Sequence, residues 1–257
     1  MNLMQQIAQE LSCLSTLIKT IRRNLKDDKL ESEVFVLDRF LSEGAIVLDI
    51  GAAYGRYAYQ MARLVGPSGR IYCFEPGNYS YKVLTGVIRF HRLKNIVPIK
   101  KAVSDKEGTA RLTIPVKKKN KLGPSLAHLA TTDDAQGITQ NDIPTTTVDN
   151  FIAQKGIQRV DFIKCDVEGA EMHVFPGAAQ TIERFKPAVL SEVDEAHLKK
   201  FGFSRQKMLE FFRQRGYEAF RLIDGEFKKT ESLDEDRNYF FLHPRTSRPS
   251  GNTATNR

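Results

Sequence analysis

The chain has 257 residues, of which 41% are hydrophobic and 27% charged, with 39 lysines and arginines against 31 acids for a formal charge of +8. That length suits one α/β domain with extensions, because single cores grow to roughly 250–300 residues before chains divide. No run approaches the ~20 apolar residues that span a bilayer, and Met1-Asn-Leu-Met-Gln-Gln6 has neither the basic nor the apolar region of a signal peptide.

The basic excess lies at 89–94, 100–101, 117–121 and in the tail. Solvated helix faces and loops account for most of it, which weighs against nucleic acid as a partner. Cys13, Cys73 and Cys165 form an odd set without metal spacing, and the last two sit in apolar runs. They read as buried free thiols in a reducing cytoplasm.

In chain order, Met4, Ile7, Leu11, Leu14, Ile18, Ile21 and Leu25 recur in steps of three and four, an apolar stripe on a helix. The stripe is expected to pack on its own domain, and its three heptads could alternatively form a dimer seam. This helical extension (1–43) continues through Val34, Phe35, Leu37 and Leu41 to Gly44. A domain over 44–243 then alternates strand and helix. Strands are expected near 45–50, 70–75, 95–99, 159–166 and 187–193, with helices near 54–65, 78–91, 170–184 and 204–215. That order implies a mostly parallel sheet with right-handed crossovers. Gly108–Val116 reads as an extra strand. Lys117–Pro144 shows no strong period and reads as a lid or substrate loop. Tyr217–Ile223 and Asn238–His243 look like a closing antiparallel pair around Asp224-Gly225. The tail, 244–257, is polar and expected to be disordered.

Chemistry concentrates at three places. Asp49 ends the first strand, and Gly51 and Gly55 frame the turn into a helix, whose N–H groups can receive a carboxylate or phosphate. A nicotinamide fingerprint has Gly-x-Gly-x-x-Gly, whereas Ala53 stands here at the second glycine. Glu75 ends the next strand, placed to hold the two hydroxyls of a ribose. Asp161–Glu171 then delivers Asp166 and Glu168 to the same sheet edge. The acids there could bind a metal, act as a base or cap a helix. Glu171 is read as a helix-end group, and Asp166 as functional.

Val47–Gly55, Phe74-Glu-Pro76, Ala102–Asp105, Thr147–Phe151, Phe175–Ala178, Lys186–Glu192 and above all Asp161–Glu171 resemble the FkbM-type methyltransferases, over roughly residues 40–243. The resemblance implies a class I Rossmann-like α/β fold, a seven-stranded mostly parallel sheet with an antiparallel C-terminal strand. It also implies S-adenosylmethionine as cofactor and transfer of a methyl group to a hydroxyl of a sugar, glycan or secondary metabolite. On that basis Gly51, Gly55 and Tyr54 meet the methionine end, Asp49 orients it and Glu75 takes the ribose. Val103 and Ser104, with Ala102, flank the adenine, and Asp166 borders both cofactor and acceptor.

The catalytic candidates are Asp166, Glu168 and His197, with Glu192 beside them, while His173 reads as structural. Asp166 with Glu168 could hold a divalent metal, but two carboxylates without further ligands at clear spacing establish none. A nucleic-acid methyltransferase is disfavoured because Asp166-Val-Glu-Gly replaces the Asp/Asn-Pro-Pro-aromatic segment of base methylation sites. A non-catalytic dimeric binding module is the remaining alternative.

Overall fold

A computed structural model describes residues 3–27, 30–117, 121–122, 128–129, 137–235 and 237–246. Helix α1 (Leu3–Lys26) and a 3-10 helix (Ser32–Arg39) precede an alternation of strands and helices. These are β1 (Ile46–Ile50), α2 (Arg56–Val65), β2 (Arg70–Phe74), α3 (Asn78–Phe90) and β3 (Ile96–Ile99). A second sheet is inserted next, with strands β4 (Ala102–Val103), β5 (Gly108–Lys117), β6 (Lys121–Leu122), β7 (His128–Leu129) and β8 (Gly137–Thr146). The main sheet resumes through α4 (Val148–Lys155), β9 (Phe162–Cys165), α5 (Glu171–Val174), α6 (Ala179–Phe185) and β10 (Ala188–Val193). It closes with α7 (Glu195–Lys200), α8 (Arg205–Arg213), β11 (Glu218–Ile223), β12 (Glu226–Thr230) and β13 (Arg237–Leu242).

The main sheet runs β12-β11-β13-β10-β9-β1-β2-β3. Its five strands from β10 to β3 are parallel, and β13, β11 and β12 are antiparallel to their neighbours. Parallel strands covered on both faces are near-continuous apolar runs. Accordingly Val47, Leu48, Phe162, Ile163, Val189 and Leu190 are all buried. One face carries a layer rich in phenylalanine, where Phe212 stacks on Phe241 and Phe175 meets Phe212 edge-on. The other is filled by Leu37, Phe40, Met61 and Phe240 beneath α2 and the 3-10 helix. Chain order reverses between β1 and β9, so the crevice at their carboxyl ends is a topological switch point.

The sheet has eight strands, one more than expected. β11 and β13 pair antiparallel as expected, and the turn at Asp224-Gly225, with φ of 51° and 79°, adds an unexpected strand by closing β11 onto β12. Both φ values are positive, as a two-residue hairpin requires. β13 lies between β10 and β11. Exposed Lys228 and Lys229 on the edge strand guard it against pairing with another chain. The helix expected over 170–184 is broken into α5, a short 3-10 turn at Pro176–Ala178 and α6, because Pro176 has no N–H to continue the ladder. Part of the stretch read as a loop is strand: Gly137–Thr146 pairs with β5. The central part of the Lys117–Lys121 cluster and the tail beyond 246 lie outside the described residues.

Of the N-terminal stripe Ile21 packs on the domain and five other members do not. Helix α1 docks on α3 through Cys13, Leu17 and Ile21, which meet Val83 and Val87. Gly86 marks the closest approach, since a Cβ there would come within 2.9 Å of Leu17. Ile7, Leu11, Leu14, Ile18 and Leu25 instead stand exposed, at 45–63% of full accessibility. The docked face also holds buried Thr20 and Asn24, so by hydrophobicity alone it looks the weaker of the two. The three cysteines are free and buried. Among the described residues no helix is long and apolar enough to cross a membrane.

Candidate active site

The carboxyl ends of β1, β2 and β9 frame a narrow cleft that opens to solvent at its mouth. Gly51, Ala53 and Glu75 line one side, and Asp166, Val167 and Glu168 the other. Phe74, Val103 and Leu112 supply apolar surface between them. Leu112 comes from β5, so the inserted sheet borders the cleft directly.

The turn after β1 is shaped by contacts within the protein. Gly51 has φ +80°, and a Cβ there would lie 1.8 Å from the Asp166 carbonyl oxygen. Gly55 has φ +79°, and its Cβ would lie 2.6 Å from Leu84. Backbone and core contacts alone therefore require both glycines. Glu75, at the end of β2, is buried and accepts the N–H of Ala53 at 2.9 Å and of Gly77 at 2.8 Å. Burial pushes its carboxyl up to about 8, against the lowering effect of those two amides. A carboxylate has about four lone-pair sites, so Glu75 keeps acceptor capacity toward the cleft.

Asp49 lies beneath the cleft, fully buried, with burial raising its carboxyl to about 6 and Lys164 opposing the rise. Lys164 escaped the sequence reading. It sits in β9 directly opposite Asp49 in the parallel register, in a strand otherwise apolar. Its Nζ is 3.0 Å from Asp166 Oδ2 and 4.0 Å from Asp49 Oδ1, and stands 5.0 Å from the Tyr57 ring centre. Burial pulls the ammonium down, but the Asp166 and Asp49 carboxylates outweigh it and leave the charged form favoured. A buried lysine requires such partners, and a lone Lys amid Phe162-Ile-Lys-Cys165 is the signal that could have found it.

Beyond Asp166 the chain turns sharply, Glu168 at φ +57° and Gly169 at φ +103°. Buried Glu171 stabilises this turn by accepting the N–H of Val167 at 3.0 Å and of Gly169 at 3.2 Å. Burial pushes its carboxyl up to about 7. His197, in α7, places Nδ1 3.4 Å from Glu168 Oε2, and its backbone N–H is held by the capping Asp194 at 2.9 Å. Glu192, near the end of β10, shares a hydrogen bond with Asp166. Its carboxyl is held well above the usual range by burial, then by the charges of Asp166, Glu168 and Glu171. The acids and histidine singled out in the sequence thus converge from β9, β10 and α7.

Other named residues lie elsewhere. Tyr54 packs beside Tyr79 in the small cluster between α1 and α3, and Gly55 belongs to the turn's underside. Ser104 faces a neighbouring, more open cleft together with His173, Arg111 and Asp142. There His173 packs against the rings of Phe201 and Phe203.

The methyltransferase FkbM domain family model matches residues 49–219, about two thirds of the chain. The chain is 24% identical over 195 residues to the methyltransferase sdnD of Sordaria araneosa, covering 63% of this chain and 75% of that protein. Among solved structures, methyltransferase FkbM of Methylobacillus flagellatus aligns with a TM-score of 0.48 and 17% identity. That alignment covers 78% of this chain, which spans only 44% of the other. Aeropyrum pernix fibrillarin, solved with bound S-adenosyl-L-methionine, aligns with a TM-score of 0.42 and 16% identity over 78% of this chain and 67% of its own.

Proposed function

The chain belongs to the FkbM methyltransferase family, and on that premise we propose that it methylates a hydroxyl group of a sugar, glycan or secondary metabolite. It is a methyltransferase whose methyl donor is S-adenosylmethionine. One observation carries the finer reading: a single cleft has a ribose-competent carboxylate, Glu75, on one wall and the acids Asp166 and Glu168 on the other. Acids around the acceptor suit a neutral hydroxyl and repel the phosphates of a nucleic acid.

The residues present fit the donor. Glu75 retains lone pairs for ribose hydroxyls, and the apolar Phe74, Val103 and Leu112 beside it suit a purine. When bound, S-adenosylmethionine supplies a methyl group already activated by a positive sulfur. The protein then has two tasks. Positioning the acceptor in line is worth an effective molarity of ~10⁵–10⁸ M. Taking the hydroxyl proton contributes about 10²–10⁴-fold. In our reading Asp166 would accept the hydroxyl proton as the acceptor oxygen takes the methyl group that the bound donor would supply, and would then pass that proton to solvent. Glu168 and His197 form the acceptor side of the cleft, while Asp49, through Lys164, fixes the carboxylate of Asp166.

Isothermal titration with S-adenosylmethionine tests the donor site, and release of S-adenosylhomocysteine across a panel of sugars and hydroxylated metabolites tests the acceptor class. Turnover that survives Asp166→Asn and Glu168→Gln unchanged would sink the catalytic assignment. No turnover on any hydroxyl acceptor would favour the binding-module alternative.

A homodimer through α1 is part of the same proposal. Five exposed aliphatic residues at heptad spacing form one face, and an antiparallel pairing sets position 7 against 25 and 14 against 18. At on the order of 100 Å² per side chain, each copy offers about 500 Å², near the lower bound for a specific interface. The free buried thiols support a reducing cytoplasm as the compartment we propose.

A further inference from the structure

We propose that Glu168, Glu192 and His197 form a binding site for one divalent cation on the acceptor side of the cleft. Its assigned task rests on the methyl-transfer reading above. One ligand atom from each of these residues lies within 4.8 Å of the other two, and all three side chains are half-buried. Metal–ligand bonds of roughly 2.0–2.2 Å put opposite ligands about 4–4.5 Å apart, so this spread closes with small side-chain shifts. The sequence had paired Asp166 with Glu168 for this purpose. The fold instead brings Glu192 and His197 to Glu168 and leaves Asp166 beside the trio, hydrogen-bonded by Lys164.

The juxtaposition is built by the main chain. Glu168 leads the left-handed turn, and Gly169 follows at φ +103°, where a Cβ would meet the His197 carbonyl oxygen at 2.5 Å. Helix α7 therefore reaches the Glu168 turn only because residue 169 is glycine. Asp194 holds the His197 backbone N–H, and its carboxylate lies 3.9 Å from the same Nδ1 that faces Glu168, so the imidazole is fixed on the acidic side of the cleft.

Charge points the same way. Asp166, Glu168, Glu171 and Glu192 converge here, and the nearby ammonium, that of Lys164, is directed at Asp166 and Asp49. Two carboxylates and one imidazole suit a borderline ion such as Mn²⁺, Co²⁺ or Zn²⁺ better than Ca²⁺ or Mg²⁺. Three protein ligands leave positions open for water and for an acceptor hydroxyl. Coordination lowers the pKa of a bound hydroxyl, so the ion would ease the proton's passage to Asp166.

The test is calorimetric titration of chelator-treated full-length protein with MnCl₂, paralleled by the paramagnetic resonance of free Mn²⁺. One ion per chain should bind with Kd below about 100 μM. Glu192→Gln and His197→Ala should each weaken it about tenfold or more, whereas the surface variant Glu218→Gln should match wild type. Circular dichroism and the heat of S-adenosylmethionine binding verify that each variant is folded. Absence of saturable binding, or equal affinity in folded Glu192→Gln and His197→Ala, overturns the site. Ion binding without cofactor binding would leave the site standing and remove the methyl-transfer reading; the converse would do the reverse.

Discussion

Replacing Lys164 with methionine keeps the volume of the side chain and removes its charge. At an effective dielectric constant of about 20, contacts of 3.0 and 4.0 Å correspond to gross attractions on the order of 4–6 kcal/mol each. Most of that is offset by desolvation. Breaking a buried ion pair from one side nevertheless costs about 3–5 kcal/mol, because the other charge is left uncompensated. Here Asp49 is fully buried and has nowhere to turn. Against a total stability of roughly 5–15 kcal/mol, Lys164→Met should lower Tm by about 6–20 °C. Urea unfolding followed by circular dichroism should show a lower midpoint at unchanged slope. The double variant Asp49→Asn/Lys164→Met should recover about half or more of the loss, since it removes the stranded charge. A single-variant loss below about 1 kcal/mol, or no recovery in the double variant, refutes the account of Lys164 as the counter-ion under the cleft.

Four further outcomes follow from the same geometry. Asp49, Glu171 and Glu75 have folded-state pKa values raised to about 6, 7 and 8. The folded state then binds protons more tightly than the unfolded one, so stability should fall as pH rises from about 4 to 8. Thermal melts of ligand-free protein at pH 5, 6.5 and 8 should decline in that order, and a rise would contradict the burial of these acids. Glu75→Ala should abolish or weaken S-adenosylmethionine binding at least about tenfold by calorimetry, and an unchanged Kd would remove Glu75 from the ribose. Gly51→Ala should cost more than about 3 kcal/mol or prevent folding, because its methyl meets the Asp166 carbonyl; wild-type melting would disprove the contact. Leu11→Glu/Ile18→Glu should halve the sedimenting mass without changing Tm by more than about 2 °C, and an unaltered mass would reject the α1 seam.

Legibility in the sequence followed the kind of force involved. The buried parallel strands could be placed within a few residues, because full burial makes each an apolar run and the acids at their ends mark the sheet edge. The docking face of α1 could not, since its contact with α3 uses Cys13 and Leu17 beside Ile21 and the helix also buries Thr20 and Asn24, while the more hydrophobic face stayed exposed. The turn at Asp224-Gly225 and the antiparallel pairing of β11 with β13 were visible, but the added strand β12 was not. β12 is a lysine-rich edge strand without the apolar alternation that betrays a buried one. Local motifs identified Asp166, Glu168 and Glu75 as an edge cluster. That His197 faces Glu168, and Glu192 joins them, depends on the left-handed turn at 168–169, which no spacing rule reveals. Lys164 was readable in principle, as a charge inside an apolar strand, yet its two acid partners became evident only from the strand register.

Backbone meets backbone at three glycines: Gly51 against Asp166 and Gly169 against His197 at the cleft, and Gly177 against Ser104 at its neighbour. Distances across the site are therefore fixed by main-chain contact, independent of which side chains line it. Such a frame separates two kinds of change. Replacing Leu112 or Val103 would reshape the walls and alter what is admitted, while the spacing between the donor and acceptor sides stays put. Adding a single methyl group at Gly51 or Gly169 would pry the halves apart. Diversification among related enzymes should accordingly run through the lining and the inserted sheet, with these three positions held as glycine.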